Sequence, residues 1–175
     1  MPDLSKVGQF ISKPKGYLMN HTEKTVALLK EKGWHISFAE SCTAGLAAGA
    51  LVDVPSASAV LDASFVTYAN AAKVRYAHVS EETLRTHGAV SEQTASEMAQ
   101  GVASETGAEV GVGISGIAGP GGGTAEKPVG TVCFGFFING KQTACTCHFD
   151  DLSRAEVRAA AVRFVFRSLV TLLQK

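Results

Sequence analysis

The stretch WHISFAESCTAGLAAGALV, residues 34–52, decides the fold. Trp34 to Ala39 is a short, mostly apolar run that reads as a buried strand. Thr43 to Val52, rich in Ala, Leu and Gly, reads as a tightly packed helix that stops before Pro55. The junction at Glu40-Ser41-Cys42 therefore places a hydroxyl and a thiol where a strand hands over to a helix. Upstream, Val26, Leu28 and Leu29 ahead of Gly33 predict a short helix from Glu23, ended by a glycine able to take a positive φ. Residues 1–16, around Pro14, show no clear period and read as an arm in front of one domain over residues 17–175.

Downstream, Ala63 to Tyr68 predicts a second strand, followed by a polar turn over Ala69 to Lys73. Ser80 and Ser91 stand where helix N-caps are expected, and the second opens a helix running toward Gly107. Glu109 to Ile114 predicts a strand that opens into SGIAGPGGG, residues 115–123, a loop too rich in glycine for helix or strand. Thr131 to Ile138 and Lys141 to Phe149 are two β-rich runs joined by Asn139-Gly140, a strong short-range hairpin signal. Ser153-Arg154-Ala155-Glu156 is an S-x-x-E capping box opening a last helix, with Val157, Ala161, Phe164, Val165, Leu169 and Leu172 on one face. Helices alternating with strands, plus one hairpin, give an α/β fold: a three-layer α/β/α sandwich with a mostly parallel mixed sheet.

Composition narrows the function classes. The 175 residues suffice for one core. Sixteen basic and sixteen acidic side chains cancel, so no overall charge points to nucleic acid or an anionic membrane. No apolar run approaches the roughly 18 residues of a membrane span, and the first twenty residues do not read as a secretory signal, so a cytoplasmic protein is expected. In that reducing compartment Cys42, Cys133, Cys145 and Cys147 are expected as free thiols. Cys145-Thr146-Cys147-His148 looks like a ligand cluster, but in a strand the two cysteines face one way and His148 the other; no metal is expected.

Open α/β sheets bind ligands beyond the carboxyl ends of their strands, which singles out three loops: Glu40 to Thr43, Tyr68 to Lys73, and Ser115 to Lys127. Ser41 at its strand-to-helix junction suits an acyl-transfer nucleophile, with helix N–H groups to stabilise an oxyanion. A plain N-cap explains the same placement. No histidine sits at a recognisable spacing to serve as its base, which leaves Lys73 as the candidate if burial lowers its pKa, with Tyr68 to relay the proton; a solvated surface lysine is the other reading. Cys42 is a rival nucleophile without a nearby histidine to activate it. Gly111 to Gly116 matches G-x-G-x-x-G, but the match lies inside the strand and Gly119-Pro120 blocks the helix that should follow, which excludes a dinucleotide fold; a P-loop is excluded by the missing Gly-Lys-Ser/Thr ending. A backbone nest for one phosphate, helped by Ser115, Arg154 or Arg158, stands beside the alternative of a structural turn.

Taken together, Ala39-Glu40-Ser41-Cys42-Thr43, Phe65-Val66-Thr67-Tyr68, Gly88-Ala89-Val90-Ser91, Ser115-Gly116-Ile117-Ala118-Gly119-Pro120 and Glu126-Lys127-Pro128-Val129-Gly130-Thr131 resemble the CinA C-terminal domain family. The similarity runs in order from about Val26 to near the C-terminus. The family's stand-alone members are nicotinamide-nucleotide amidohydrolases. The resemblance implies Ser41 as nucleophile, Lys73 as its partner and Tyr68 as the family tyrosine. It also matches Ser115 to the hydroxyl residue of the S/T-G-I-A-G-P motif and Arg154 to the arginine of a G-D-R motif. Thr43, Gly116, Gly119, Gly121 and Arg158 complete the expected substrate contacts. Ala44, Ala69, Ala71 and Ser153 depart from the family pattern, and the catalytic set is intact. The implied activity converts nicotinamide mononucleotide to nicotinate mononucleotide and ammonia without a cofactor, in a homo-oligomer. The alternative is a non-catalytic nucleotide-binding or partner module of the same fold.

Overall fold

The computed structural model describes residues 15–174, with side chains from His21 onward; the arm expected over residues 1–16 lies outside the described residues up to Pro14. The first helix, α1 (Lys15–Lys32), is longer than the short helix expected from Glu23 and takes up Lys15 and Gly16. After it the elements are β1 (Ile36–Glu40), α2 (Leu46–Val52), β2 (Leu61–Val66), α3 (Asn70–Ala77), α4 (Glu81–His87), α5 (Glu92–Thr106), β3 (Val110–Gly116), β4 (Thr131–Ile138), β5 (Lys141–His148) and α6 (Arg154–Leu173).

The strand order is β2-β1-β3-β4-β5. β2 and β3 run parallel to β1, β4 turns back, and β5 turns again, so four of five strands point one way. The turn at Asn139-Gly140 has positive φ at both residues, 44° and 85°, the mirror-image twist that two-residue hairpins prefer. Helices α1, α2 and α6 cover one face, where Phe38 of β1 meets Phe166 of α6 at a centroid distance of 6.4 Å. Helices α3, α4 and α5 cover the other, and there Ser37 bonds Thr106 at 2.9 Å. The main core lies under α6, with Leu29, Ile36, Leu51, Val112, Ile114, Phe134, Val165 and Leu169 removed from water.

Glycines let α5 lie directly on the sheet. A Cβ at Gly113 or Gly135 would overlap the Ala95 carbonyl, and one at Gly111 the Ala99 carbonyl. The glycine pattern that mimics a dinucleotide motif is thus a packing surface for a helix. The caps read from sequence are present: Ser80 accepts from Glu82 N, Ser91 from Thr94 N, and Ser153 with Glu156 forms a full capping box.

Besides the longer α1, two local readings change. Helix α2 begins at Leu46, not Thr43, because Cys42 to Gly45 make a turn in which Ala44 and Gly45 take left-handed φ of 51° and 90°. The polar turn expected over Ala69 to Lys73 holds only at its first residue, and Lys73 lies in α3, where only Lys73 and Ala77 are buried. A helix with so little apolar face shows no 3.6-residue period to read.

Candidate active site

Strands β1, β2 and β3 all end at one edge of the sheet, with Glu40 opposite Val66 on one side and Ile114 on the other. Ser41 adds one more ladder bond, its N–H donating to Ile114 O at 2.9 Å, and this fixes its Cα before the chain turns. The side chain is 8% exposed. From the opposite helical layer, α3 brings Lys73 Nζ to 3.1 Å from Ser41 Oγ.

Lys73 is 1% exposed. Its amine also donates to Thr67 O at 2.9 Å and to Tyr68 O at 3.2 Å. All three neighbours are neutral oxygens, and the described ion pairs do not include Lys73. Burial lowers its pKa from the ordinary 10.5, with Cys42 opposing more weakly, because an ammonium loses hydration that neutral partners do not replace. The loss of basicity that a lysine base requires is therefore built into the site.

Cys42 beside it is unsuited to attack. Its thiol is buried, and burial pushes its pKa up to about 11; at neutral pH it stays protonated, whereas the nucleophilic form is the thiolate.

Glu40, fully buried, is the site residue that the sequence did not single out by itself. Its carboxylate accepts from Gly45 N at 3.0 Å, Ala47 N at 3.1 Å and Ala48 N at 2.9 Å, with Ser64 Oγ at 3.4 Å. It therefore occupies the start of α2, and the helix N–H groups expected to face a ligand are already taken. An acidic residue five to eight positions ahead of the helix amides it caps is the one signal that could have revealed it.

A cavity of about 190 Å³ opens here, lined by Ser41, Cys42, Tyr68, Asn70, Lys73, Ala89, Val90, Ser115, Gly116, Ala118 and Arg154. Ser115 Oγ donates to Ala89 O at 2.6 Å and so ties the Gly88–Val90 wall to the end of β3. Arg154 donates to Gly119 O at 2.8 Å and to Tyr68 Oη at 3.3 Å, linking the glycine loop to an exposed tyrosine. Asn70, Ala89 and Val90 join the wall without having been singled out.

Thr43, Gly119, Gly121 and Arg158 do not line the cavity. Thr43 is fully buried and its Oγ1 has no partner among the described residues. Arg158, expected near a phosphate, instead donates from Nε to Cys42 O at 2.9 Å and from Nη2 to Thr43 O at 3.1 Å. It fastens the turn from behind, a contact 116 residues apart in sequence that no local pattern announces.

A second cavity of about 240 Å³ lies between β4, β5 and α6, lined by Phe136, Thr143, Cys145, Arg167, Ser168, Thr171 and Leu172. Although larger, it holds no nucleophile poised against a base, and burial pushes the Cys145 thiol up to about 11. His148 Nδ1 lies 3.2 Å from Thr131 Oγ1, and no group of three or more His, Cys, Asp or Glu able to hold a metal is found among the described residues. None of the described helices is long and apolar enough to cross a membrane.

The model of the CinA C-terminal domain family matches residues 19–173. The chain belongs to the CinA C-terminal domain family. A family relative from Enterobacter agglomerans named nicotinamide-nucleotide amidohydrolase PncC is 60% identical over 110 residues, 63% of this chain and 67% of that protein. A CinA-like protein from Kosmotoga olearia is 46% identical over 154 residues, 86% of this chain, and this chain spans only 37% of that relative. Among solved structures, the competence/damage inducible protein CihA from Agrobacterium tumefaciens is 42% identical with a TM-score of 0.87, covering 91% of this chain and 97% of that one. A CinA superfamily protein from Escherichia coli is 35% identical with a TM-score of 0.85 over 89% and 90%.

Proposed function

We propose that the chain hydrolyses the carboxamide of nicotinamide mononucleotide to nicotinate mononucleotide and ammonia, with Ser41 as nucleophile and Lys73 as its base. The observation that carries this reading is the 3.1 Å contact between Lys73 Nζ and Ser41 Oγ, with the amine withdrawn from solvent. The name of the Enterobacter agglomerans relative supports the substrate.

A neutral amine has two N–H donors and one lone pair. Thr67 O and Tyr68 O take the two donors, which turns the lone pair toward the Ser41 hydroxyl. Lys73 takes the hydroxyl proton as Ser41 Oγ bonds to the carboxamide carbon. The resulting ammonium passes that proton to the departing nitrogen, the C–N bond breaks and ammonia leaves. Water then enters, Lys73 takes one of its protons, the hydroxide attacks the acyl group, and the proton returns to Ser41. The scheme needs no cofactor, metal, nucleic acid or membrane.

The cavity of about 190 Å³ is below the roughly 300 Å³ at which ligand pockets begin. It suits the pyridine carboxamide, with ribose and phosphate lying toward Tyr68, Arg154 and the backbone N–H groups of Gly119 and Gly121. Tyr68, 61% exposed and accepting from Arg154 at its hydroxyl, takes in this reading the role of stacking on or holding the ribose, in place of the proton relay expected from the sequence.

Purified protein is expected to release ammonia from nicotinamide mononucleotide, and Ser41→Ala to fall to background; an unchanged rate in that variant ends the reading. Binding of the nucleotide without turnover in the unmodified protein would support the non-catalytic module instead, a reading favoured by the Kosmotoga olearia relative, in which this domain is a minor part of a longer chain. The proposal also takes residues 17–175 as one domain of a cytoplasmic homo-oligomer. Leu46, Val52 and Val66 stay exposed beside β2, and a second copy would bury them; sedimentation as a monomer at assay concentration would refute the assembly.

A further inference from the structure

We infer that the free amide of Cys42, a residue of the cavity wall, forms the oxyanion site, and that Glu40 and Arg158 are positioning residues that hold the turn carrying it. The inference rests on the proposed attack by Ser41. It follows from asking where each backbone group of residues 41–48 goes, since a buried N–H or C=O rarely stays unpaired.

On the donor side, Ser41 N pairs with Ile114 O, Ala44 N with Ser41 O, and Leu46 N with Thr43 O. Gly45 N, Ala47 N and Ala48 N all end on the Glu40 carboxylate. Neither the Cys42 nor the Thr43 N–H meets an acceptor from another described residue. On the acceptor side, the Cys42 and Thr43 carbonyls both receive the Arg158 guanidinium. The turn is thus pinned by a carboxylate at its helix end and a guanidinium at its carbonyls, and of its two unclaimed donors the Cys42 N–H directly follows the nucleophile and belongs to a residue that lines the cavity.

Backbone pairing inside the pinned turn aims the Cys42 donor. In a planar trans peptide the C=O and the following N–H point in opposite directions. Ser41 O held by Ala44 N therefore directs Cys42 N–H away from the turn. Arg158, bonded to the Cys42 and Thr43 carbonyls, holds the Cys42 backbone in that orientation. By filling the start of α2, Glu40 removes the helix amides as competitors for the developing charge.

The test compares Arg158→Leu, Arg158→Lys and Glu40→Gln with the unmodified protein, each checked for native circular dichroism. Removing an oxyanion donor costs about 10² to 10³ in kcat, so loosening one is expected to cost about 10- to 100-fold in Arg158→Leu. KM should stay within about twofold, and affinity for pyridine-3-boronic acid, which forms a tetrahedral adduct with a serine, should fall in step with kcat. Arg158→Lys should recover part of the loss, and Glu40→Gln, which keeps the shape but turns one amide donor toward the helix N–H groups, should lower kcat by about tenfold. A rise in KM at unchanged kcat in Arg158→Leu would make Arg158 a substrate ligand and overturn the inference, as would kcat at the level of the unmodified protein in both Arg158→Leu and Glu40→Gln. Labelling by a fluorophosphonate separates the levels. A Ser41 that labels while these variants keep full kcat sinks only the clamp and oxyanion assignment, whereas an unlabelled Ser41 with an active Ser41→Ala variant sinks the nucleophile itself.

Discussion

Replacing Lys73 with methionine tests the chemistry most directly, because methionine keeps an unbranched chain of similar length and removes the nitrogen. Lys73 is 1% exposed and its amine contacts Ser41 Oγ and two carbonyls, so the variant loses both the base for attack and the acid that protonates the departing nitrogen. A positioned general acid or base is worth about 10² to 10⁴ in rate. A kcat loss near 10³ corresponds to about 4 kcal/mol of transition-state stabilisation. The pH dependence gives a second readout with a definite sign. Catalysis needs neutral Lys73, and burial lowers its pKa below 10.5, so kcat/KM of the unmodified protein rises with pH through that lowered pKa and levels off above it. The same shift acts on stability. Between the lowered folded pKa and the unfolded value near 10.5 the unfolded chain binds the proton that the folded chain has released, so stability rises with pH across that window and is lost as pH falls through it. Ammonia release measured over a pH series should show the limb in the unmodified protein and none in Lys73→Met. A Lys73→Met protein within tenfold of full activity, or one with the same limb, would refute Lys73 as the base.

Two further substitutions probe neighbouring claims. Cys42→Ala should keep kcat within about threefold, because a thiol held near 11 contributes no thiolate at neutral pH; a loss matching that of Ser41→Ala would move the nucleophile to Cys42. Gly135→Ala should destabilise the fold by about 1–3 kcal/mol, the usual cost of overfilling a packed interior, because the new methyl overlaps the Ala95 carbonyl. For a chain of this size that lowers Tm by roughly 2–12 °C, and an unchanged melting curve would show that α5 does not rest on the β4 backbone.

What the sequence disclosed follows how local each determinant is. The hairpin at Asn139-Gly140, the Ser91 cap and the Ser153–Glu156 capping box each depend on residues within four positions of one another, and each stands where it was read. Helix α3 was hidden because its most buried large side chain is a lysine, which inverts the pattern that marks a helix face. The late start of α2 was hidden because Ala44 adopts φ of 51°, a conformation nothing about alanine advertises. Arg158, on the last helix, read as a helper of a backbone phosphate nest; only the fold brings it under the carbonyls of Cys42 and Thr43.

Glu40 and Lys73 show why the site can be located from packing alone. Both are ionisable and essentially without solvent contact, 0% and 1% exposed, and neither appears among the described ion pairs. Buried charges without a counter-charge weaken a fold unless dipoles or a change of protonation compensate. The two residues use opposite remedies. Glu40 gathers three backbone N–H groups at the start of α2 in one helical layer, which supply the hydrogen bonds its side chain would otherwise take from water. Lys73, reaching in from α3 in the other layer, meets only oxygen atoms, and its lowered pKa favours the free amine. Ser41 stands between them at the end of β1, where the two layers meet over the sheet edge. A scaffold selected for stability alone would fill both positions with apolar side chains. Their joint presence around one hydroxyl sets an anion that holds the turn beside an amine able to take a proton, which is the division of labour that hydrolysis by a serine requires.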